Sequence, residues 1–236
     1  MEKIITKKQV INKIGQELEL GLKIYGFRFL KSKSMLKRKT KQGYDAIILS
    51  TYDMYPHSHQ ELFIQFSFRI DKVEEIVNKF YDERFMNPEF HKSSRTYSLN
   101  HESLMNDYKI EFNSLNNQCD ICKPEKEKKL VLHSEEDIVK LIPLLINFIK
   151  IKGLTFFEVN YNLDYLNSFI KQQALECGYL LQLMQSLVLM YLTGDKDLNG
   201  AMEEYPKLLL QYPYDKDKTD ALNELVTYLI LENRKI

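Results

Sequence analysis

The apolar positions near the start of the chain follow a helical period. Between Val10 and Tyr25 they recur every three or four residues, as on one buried face of a helix. Thr6, followed three residues later by Gln9, has the capping-box form that begins a helix, and Gly26 offers the left-handed conformation that ends one. The pattern predicts an amphipathic helix between Thr6 and Gly26.

The next two apolar segments suit strands rather than helices. Residues 44–55 and 61–70 are rich in β-branched and aromatic residues, and the second alternates apolar with polar positions. Gln65, Ser67 and Arg69 fall on the polar side of that alternation. Because the connection is short and contains turn-forming residues, the two segments are expected to form an antiparallel hairpin with one buried and one polar face.

Strand and helix signals then change places along the chain. Asp71 can cap a short helix, and strand signals return at residues 95–99, 108–112 and 130–133. From Ser134 the period is helical and stays so to the end. The expected fold class is α+β, an antiparallel sheet with packed helices, followed by an all-helical C-terminal subdomain.

The expected domain boundary lies where the period changes. Residues 1–134 would form the α+β sheet domain, and residues 135–236 a helical C-terminal subdomain docked on it. In the second part, residues 178–194 are apolar almost all round a helix, which predicts a buried central helix. The run is broken by glutamines and a serine and is too short to cross a bilayer.

Composition and charge exclude several kinds of partner. The 236-residue chain has 33 basic and 33 acidic residues, so it has no global attraction for nucleic acid or an anionic membrane. Neither specific nucleic-acid binding nor a membrane partner is therefore expected. The first residues lack the apolar core of a signal peptide, and three cysteines are too few for a disulfide scaffold, so the expected location is cytoplasmic.

Two cysteines have the spacing that zinc sites and redox enzymes use. Cys119 and Cys122 are followed by a lysine-rich segment typical of a solvated turn, and no second pair lies nearby. A four-ligand site with His101 and His133 is geometrically possible but is specified by nothing local. The turn without a chemical role is the favoured interpretation.

His57 and His59 would lie on one face of an extended segment, but no further ligand stands at a fixed spacing from them. No glycine-rich phosphate loop, nucleophile elbow or zinc-binding helix motif occurs in the chain. The sequence therefore predicts no metal, no cofactor and no catalytic residues.

The clearest local charge anomaly is basic. Residues 31–41 contain six Lys or Arg and no acid. They could bind phosphate groups, but lysines that protect an edge strand from association are the favoured explanation. Lys37, Arg38 and Lys39, together with Arg69 on the polar sheet face, are the candidate residues for contact with a ligand or partner.

The chain resembles uncharacterised bacterial proteins near or within the family of domain of unknown function 4304. The resemblance extends to Ile170, and matching positions include Gly26 with Phe27, Arg69 with Val73 and Glu74, and Phe156 with Phe157. It implies a cytoplasmic bacterial α+β protein without assigned catalytic residues. The segments that carry it are YGFRF, a basic strand, ELFIQFSFRIDKVEEIVNKF, SSRTYSL and LTFFEVNYNLDYLNSFI.

The sequence favours a non-enzymatic protein that binds another protein, in the manner of an adaptor or immunity protein. The absence of a convergent catalytic set, aromatic-rich faces and a repeat-like final region support this hypothesis. The alternative is a small-ligand-binding or enzymatic α+β module that uses the polar face of the sheet.

Overall fold

The computed structural model describes residues 6–54, 59–81, 85, 93–105, 129–210 and 216–233. Within these ranges the chain forms an antiparallel sheet and a set of α-helices, which confirms the predicted α+β class. The strand expected at residues 108–112 lies outside the described residues.

The sheet is built around β4, which pairs with β3 along one edge and with two short strands along the other. Its order is β1-β2-β3-β4-β5, and β6 also pairs with β4. Strand β5 pairs with residues 65–68 of β4, whereas β6 pairs with residues 60–62. The strands are β1 (Arg28–Leu30), β2 (Met35–Lys39), β3 (Gly43–Met54), β4 (His59–Ile70), β5 (Tyr97–Asn100) and β6 (Leu130–Leu132).

Helices precede the sheet, interrupt it and occupy most of the chain after residue 134. Helix α4 continues through a π-helical turn at Ile149–Gly153 into α5. The helices are α1 (Lys7–Leu22), α2 (Asp71–Val77), α3 (His101–Leu104), α4 (Glu135–Phe148), α5 (Leu154–Asn160), α6 (Leu163–Cys177), α7 (Leu180–Thr193), α8 (Leu198–Leu210) and α9 (Lys216–Asn233).

The chain divides into two compact units, each made of two segments. The sheet unit contains Met1–Phe68 and Tyr97–Phe157, and the helical unit contains Arg69–Thr96 and Glu158–Ile236. This partition differs from the predicted division at residue 134. Helix α4 belongs to the sheet unit, and α2 belongs to the helical unit although it precedes β5 and β6 in the chain.

The predicted capping box at Thr6 forms, and a second one forms at Ser134, where the helical period was expected to begin. The Thr6 side chain accepts a hydrogen bond from the Gln9 backbone amide, and the Gln9 side chain accepts one from the Thr6 amide. Ser134 and Asp137 make the same reciprocal pair at the start of α4. Each pair satisfies amide groups that the first turn of a helix leaves without intrahelical partners.

Aromatic rings fill the core of the sheet unit. The Phe66 ring on β4 is fully buried, and its centroid lies 5.9 Å from that of Phe148 and 6.1 Å from that of Phe157. Gly153 lets the chain approach this cluster, since a Cβ atom there would lie 2.6 Å from Phe66 Cε1. Large aromatic side chains such as these remove extensive apolar surface from water when they are buried.

The predicted alternation of β4 holds only for its first half. Leu62 and Ile64 are buried while Phe63 and Gln65 are half-buried, but Ser67 and Arg69 are buried along with their apolar neighbours. Alternation reports which side chains share a face, whereas coverage of that face depends on residues distant in sequence. The expectation of an open polar face is wrong at Ser67 and Arg69.

Helix α7 is central to the helical unit, as its apolar circumference predicts. Every residue from Leu183 to Met190 is buried, and α7 packs against α2, α6, α8 and α9. Leu209 from α8, with Leu225 and Leu229 from α9, is also buried. A helix surrounded by other helices must present apolar side chains in all directions.

Candidate functional site

The candidate residues of the basic segment have partners inside the sheet unit. Arg38 Nε donates to Asp45 Oδ2 at 2.7 Å, and Asp45 is completely buried. The Arg38 guanidinium also lies 4.8 Å from the Phe27 ring centroid. Lys37 Nζ lies 3.6 Å above the centroid of the Tyr44 ring, whereas Lys39 is exposed. The Arg38 charge is therefore committed to a buried carboxylate, a requirement of the fold.

The edge-strand explanation of this basic segment does not apply to Lys37. Strand β2 lies between β1 and β3, and Lys37 stands opposite Arg28 of β1 and Ala46 of β3, whereas Arg38 and Lys39 pair with β3 alone and extend past the end of β1. In the β2–β3 register Arg38 stands opposite Asp45. Cross-strand charge pairing therefore accounts for Arg38 better than protection of an exposed edge.

Arg69 is buried in the helical unit and bonded on two sides. Its Nε donates to Asp71 Oδ1 at 2.6 Å, and its Nη1 donates to the Ser94 hydroxyl oxygen at 2.5 Å. Asp71, expected as a helix cap, is instead the first residue of α2, and the cap residue Ile70 makes no side-chain capping bond. These contacts tie residues 93–96 to the beginning of α2.

A buried carboxyl group lies beside Arg69. Glu74 on α2 is fully buried, and its Oε1 accepts a hydrogen bond from Gln185 Nε2 at 2.9 Å. The same Gln185 nitrogen lies 2.9 Å from the Arg95 carbonyl oxygen, to which it also donates. Burial raises the pKa of the Glu74 carboxyl, and the Gln185 hydrogen bond and the Arg69 charge offset part of that effect. The group cross-links α2, α7 and residues 93–96.

The metal hypotheses can be followed only in part. Cys119, Cys122 and His57 lie outside the described residues. His59 Nδ1 and His133 Nδ1 are 2.8 Å apart, so one ring nitrogen carries the proton and the other accepts it. His101 is buried and accepts from the Ile64 amide through Nδ1 at 3.3 Å. Among the residues that the structure describes, no three His, Cys, Asp or Glu side chains are grouped to hold a metal ion.

The helical unit has an open groove between α6 and α8. Its volume is about 390 Å³. Helix α6 contributes Lys171 and Leu175, and α8 with the preceding turn contributes the other wall; the lining residues are Lys171, Leu175, Lys196, Asp197, Gly200, Ala201, Glu204 and Tyr205. We call this feature the α6–α8 groove. Its volume lies in the lower part of the range of sites that hold small ligands.

One lysine of the groove is neutralised by its neighbours. Lys171 Nζ lies 2.9 Å from Asp197 Oδ2 and 3.7 Å from Asp195 Oδ2. The hydrogen bond to Asp197 is the main cause that raises the pKa of Lys171. Asp195 accepts from the Asp197 amide, which lowers the pKa of Asp195, and from Asn167 Nδ2 at 2.7 Å. This network fixes the loop before α8 against α6.

Two other charges in the groove face solvent. Lys196 and Glu204 are exposed, and in the described part of the chain neither forms an ion pair or a side-chain hydrogen bond. Leu175 has half of its surface exposed, although it lies beside buried Ala201 and Tyr205. The groove therefore combines one available positive charge, one available negative charge and an apolar wall.

The buried side of the groove is held in place by a hydroxyl pair. Tyr205 is almost fully buried, and its hydroxyl oxygen lies 3.0 Å from Ser186 Oγ on α7. Burial raises the pKa of Tyr205, so the phenol is neutral near pH 7. Gly200 also lines the groove, and a Cβ atom at that position would meet no heavy atom within 4 Å, so a larger side chain has room there.

Sequence reasoning did not identify this groove. Its walls come from residues separated by more than twenty positions, and none of them forms a recognisable motif. The available signal was Gly200, a glycine within the first turn of a helix, where a side chain would be expected to favour the helix. A glycine in a helix is often required by close packing or by the access of a ligand to the surface.

Comparison with known proteins does not test the resemblance to the family of domain of unknown function 4304, which stays a prediction. In the described ranges, no helix is both long and apolar enough to cross a bilayer. No family model, no curated protein and no solved structure matches the chain.

Proposed function

We propose that the chain is a non-enzymatic protein-interaction module, adaptor-like or immunity-like, whose contact surface is the α6–α8 groove. The observation that carries this proposal is the pair of exposed charges, Lys196 and Glu204, beside the half-exposed Leu175 in an open groove. Exposed apolar surface with charges around it is typical of places where another molecule binds.

The two arginines predicted as contact residues, Arg38 and Arg69, are less suited to bind a partner, because each already pairs with an acid of this chain. Arg38 is bonded to Asp45 and Arg69 to Asp71, so release of either guanidinium for a partner would leave an acid without its counter-charge. Separation is costly at Arg38, because Asp45 is completely buried. In contrast, Lys196 and Glu204 can pair with a partner without breaking an interaction of the described chain.

The alternative, a ligand-binding or enzymatic site on the polar face of the sheet, finds less support at its key residues. Ser67 is fully buried, and its hydroxyl accepts from Ser98 Oγ at 2.9 Å. Arg69 is buried and bonded to Asp71 and Ser94. A substrate would have to displace these contacts to reach either side chain.

A cytoplasmic bacterial protein related to domain of unknown function 4304 remains part of the proposal. The low cysteine content supports a reducing compartment. The resemblance over about the first 170 residues supports the family assignment, and a sequence family built from close relatives of this chain would test it.

The proposal is tested by filling the groove without disturbing the fold. Gly200→Trp places an indole where no heavy atom lies within 4 Å of the Cβ position, and it removes a glycine from a helix. The tagged full-length variant should keep the melting temperature of the parent. A partner that the parent captures from a lysate of the source organism should be lost at least tenfold.

Asn199→Trp is the matched control, because residue 199 is exposed on the same helix but does not line the groove. It adds the same indole, so nonspecific stickiness would affect both variants equally. Capture should be retained by Asn199→Trp. Equal capture by the parent and Gly200→Trp would contradict the proposal, as would the absence of any partner specific to the parent.

A further inference from the structure

We propose that His59 and His133 form a binding site for one divalent transition-metal ion, such as Zn²⁺, Ni²⁺ or Cu²⁺, held by the two Nδ1 atoms. Both residues belong to the sheet unit, so this inference does not depend on the α6–α8 groove or on the proposed function. Sequence reasoning considered each histidine with other candidate ligands and did not bring these two together.

The pairing of β4 with β6 places the two histidines side by side. Their register pairs Gln60 with Leu132, and continuing it by one residue sets His59 opposite His133. The two Nδ1 atoms are 2.8 Å apart, and the ring centroids are 3.9 Å apart. Because residues 130–132 are buried, the backbone that carries His133 is anchored in the core of the unit.

The distance between the two nitrogens is close to the distance that a shared metal ion requires. Imidazole nitrogens lie about 2.0–2.1 Å from Zn²⁺, so in a tetrahedral site two of them are roughly 3.3 Å apart. A separation of the rings by about half an ångström would turn the observed 2.8 Å contact into that geometry. Neutral imidazole is the commonest metal ligand among side chains, and here two of its nitrogens converge on one point.

The proton that the two rings share can move without a change of charge. In the metal-free pair one Nδ1 carries a hydrogen and the other accepts it. A metal ion needs the lone pairs of both Nδ1 atoms, so this proton transfers through solvent to Nε2 of the same ring, and both imidazoles stay neutral. In the described part of the chain His133 Nε2 has no hydrogen-bond partner, so a proton on that atom breaks no existing bond.

The surroundings of the pair suit a cation. Both histidines are half-buried, so an ion can reach them from water. The Asp137 carboxylate accepts from the His133 backbone amide at 2.8 Å, which places a negative charge beside the site. Glu61, two residues beyond His59 and on the same face of β4, pairs with Lys129 at 3.2 Å and offsets that positive charge.

The ligand set determines which ions bind. No third His, Cys, Asp or Glu of the described ranges is grouped with the pair, so water fills the remaining positions of the ion. Imidazole favours transition-metal ions, whereas Mg²⁺ and Ca²⁺ require oxygen ligands. Cu²⁺ should therefore bind more tightly than Ni²⁺ or Zn²⁺, and Mg²⁺ and Ca²⁺ should not bind here.

The test follows the two rings while Zn²⁺ is added to the full-length protein. Histidine rings are labelled with ¹⁵N, and their resonances are recorded by NMR at about pH 7.5, where protons compete weakly with metal for imidazole. The resonances of His59 and His133 should shift with one and the same dissociation constant, because one ion contacts both rings. The same titration with Mg²⁺ should leave them unchanged.

Removal of either ring should weaken binding at the other. His59→Gln and His133→Gln should each raise the Zn²⁺ dissociation constant at the remaining ring by at least about tenfold, since even loss of an outer-shell partner costs that much. Gln60→Ala is the matched control, because successive residues of a strand point to opposite faces. It should leave the dissociation constant unchanged.

Two results would overturn the inference. The first is a parent protein whose His59 and His133 rings do not shift with Zn²⁺, or shift with different dissociation constants. The second is unchanged binding at the remaining ring of either histidine variant. The titration of the parent decides the question even if a variant fails to fold.

Discussion

Gln185 Nε2 donates a hydrogen bond to Glu74 Oε1 at 2.9 Å in the interior of the helical unit. The two residues are 111 positions apart in the sequence, and their contact joins α2 to α7. Gln185 also donates to the Arg95 carbonyl oxygen, which brings residues 93–96 into the same group. These bonds link α2, α7 and residues 93–96, and in the described part of the chain Glu74 Oε2 is buried without a hydrogen-bond partner.

The Glu74 carboxyl should make stability depend on pH. Its pKa is raised in the folded state, mainly by burial, above the ordinary value of 4.5. Above pH 4.5 the Glu74 carboxyl loses its proton in the unfolded chain before it does so in the folded protein. The contribution of Glu74 to stability is therefore greatest in acid and falls as the pH rises through the pKa of the folded state. Urea unfolding of the parent and Glu74→Gln between pH 4 and pH 8 measures this effect.

Glu74→Gln is nearly isosteric with the protonated acid and cannot ionise, while its Oε1 can still accept from Gln185. The variant should therefore lose less stability than the parent over the same rise in pH. Identical pH slopes for the two proteins would show that Glu74 does not carry a raised pKa in the fold.

The burial of α7 predicts a severe effect of a charge at its centre. Leu187 has no exposed surface, so Leu187→Asp would bury an unpaired carboxylate and should cost several kcal/mol of unfolding free energy. Thermal melts followed by circular dichroism measure the loss. Glu203→Ala, an exposed change on α8, should melt like the parent. A normal melting temperature for Leu187→Asp would mean that α7 is accessible to solvent.

The Arg38–Asp45 pair should be structural. Arg38→Gln leaves the fully buried Asp45 carboxylate without its counter-charge and should lower the unfolding free energy by about 3 kcal/mol. Lys39→Gln, at the exposed neighbouring position, should change it by less than about 0.5 kcal/mol. Urea denaturation compares both with the parent.

The double variant Arg38→Gln with Asp45→Asn removes the isolated charge and should recover part of the loss. If the stability losses of Arg38→Gln and Asp45→Asn, each measured alone, simply add up in the double variant, the two residues do not interact and the pairing is contradicted.

Two glycines should respond oppositely to the same substitution. Gly153→Ala would place Cβ 2.6 Å from Phe66 Cε1, and since Phe66 is fully buried among other rings, we expect a loss of about 1–3 kcal/mol. Gly200→Ala meets no atom within 4 Å and should gain about 0.5 kcal/mol from helix propensity. Chemical denaturation of both variants measures the two changes in unfolding free energy. Two changes of the same sign would contradict either the tight packing around Gly153 or the open space around Gly200.

Local sequence signals predicted the beginnings and ends of several elements correctly. The capping box at Thr6 forms, a helix begins directly after Ser134, and Gly26 adopts the left-handed conformation expected at a helix end. These features depend on a few neighbouring residues and on backbone sterics. The burial of α7 was also predictable, since a helix that is apolar on all sides has no face suited to water.

Features that depend on distant residues were missed or misinterpreted. The polar alternation of β4 could not show that Ser67 and Arg69 are buried, because coverage of a sheet face is decided by tertiary packing. The Arg38–Asp45 pair could have been predicted from the sequence, because a short hairpin between β2 and β3 places the two residues opposite each other. The α6–α8 groove was not, since its lining comes from two helices with no shared motif.

Photo-crosslinking from the wall of the groove tests the central claim most directly. A benzophenone amino acid is placed at Leu175, which lines the groove, or at Glu176, which is exposed on α6 but does not line it. After irradiation in the source organism, we expect one discrete adduct from position 175 that Gly200→Trp abolishes, and none of the same mass from position 176. Equal adducts from both positions, or none from position 175, would contradict the groove as the surface that contacts a partner.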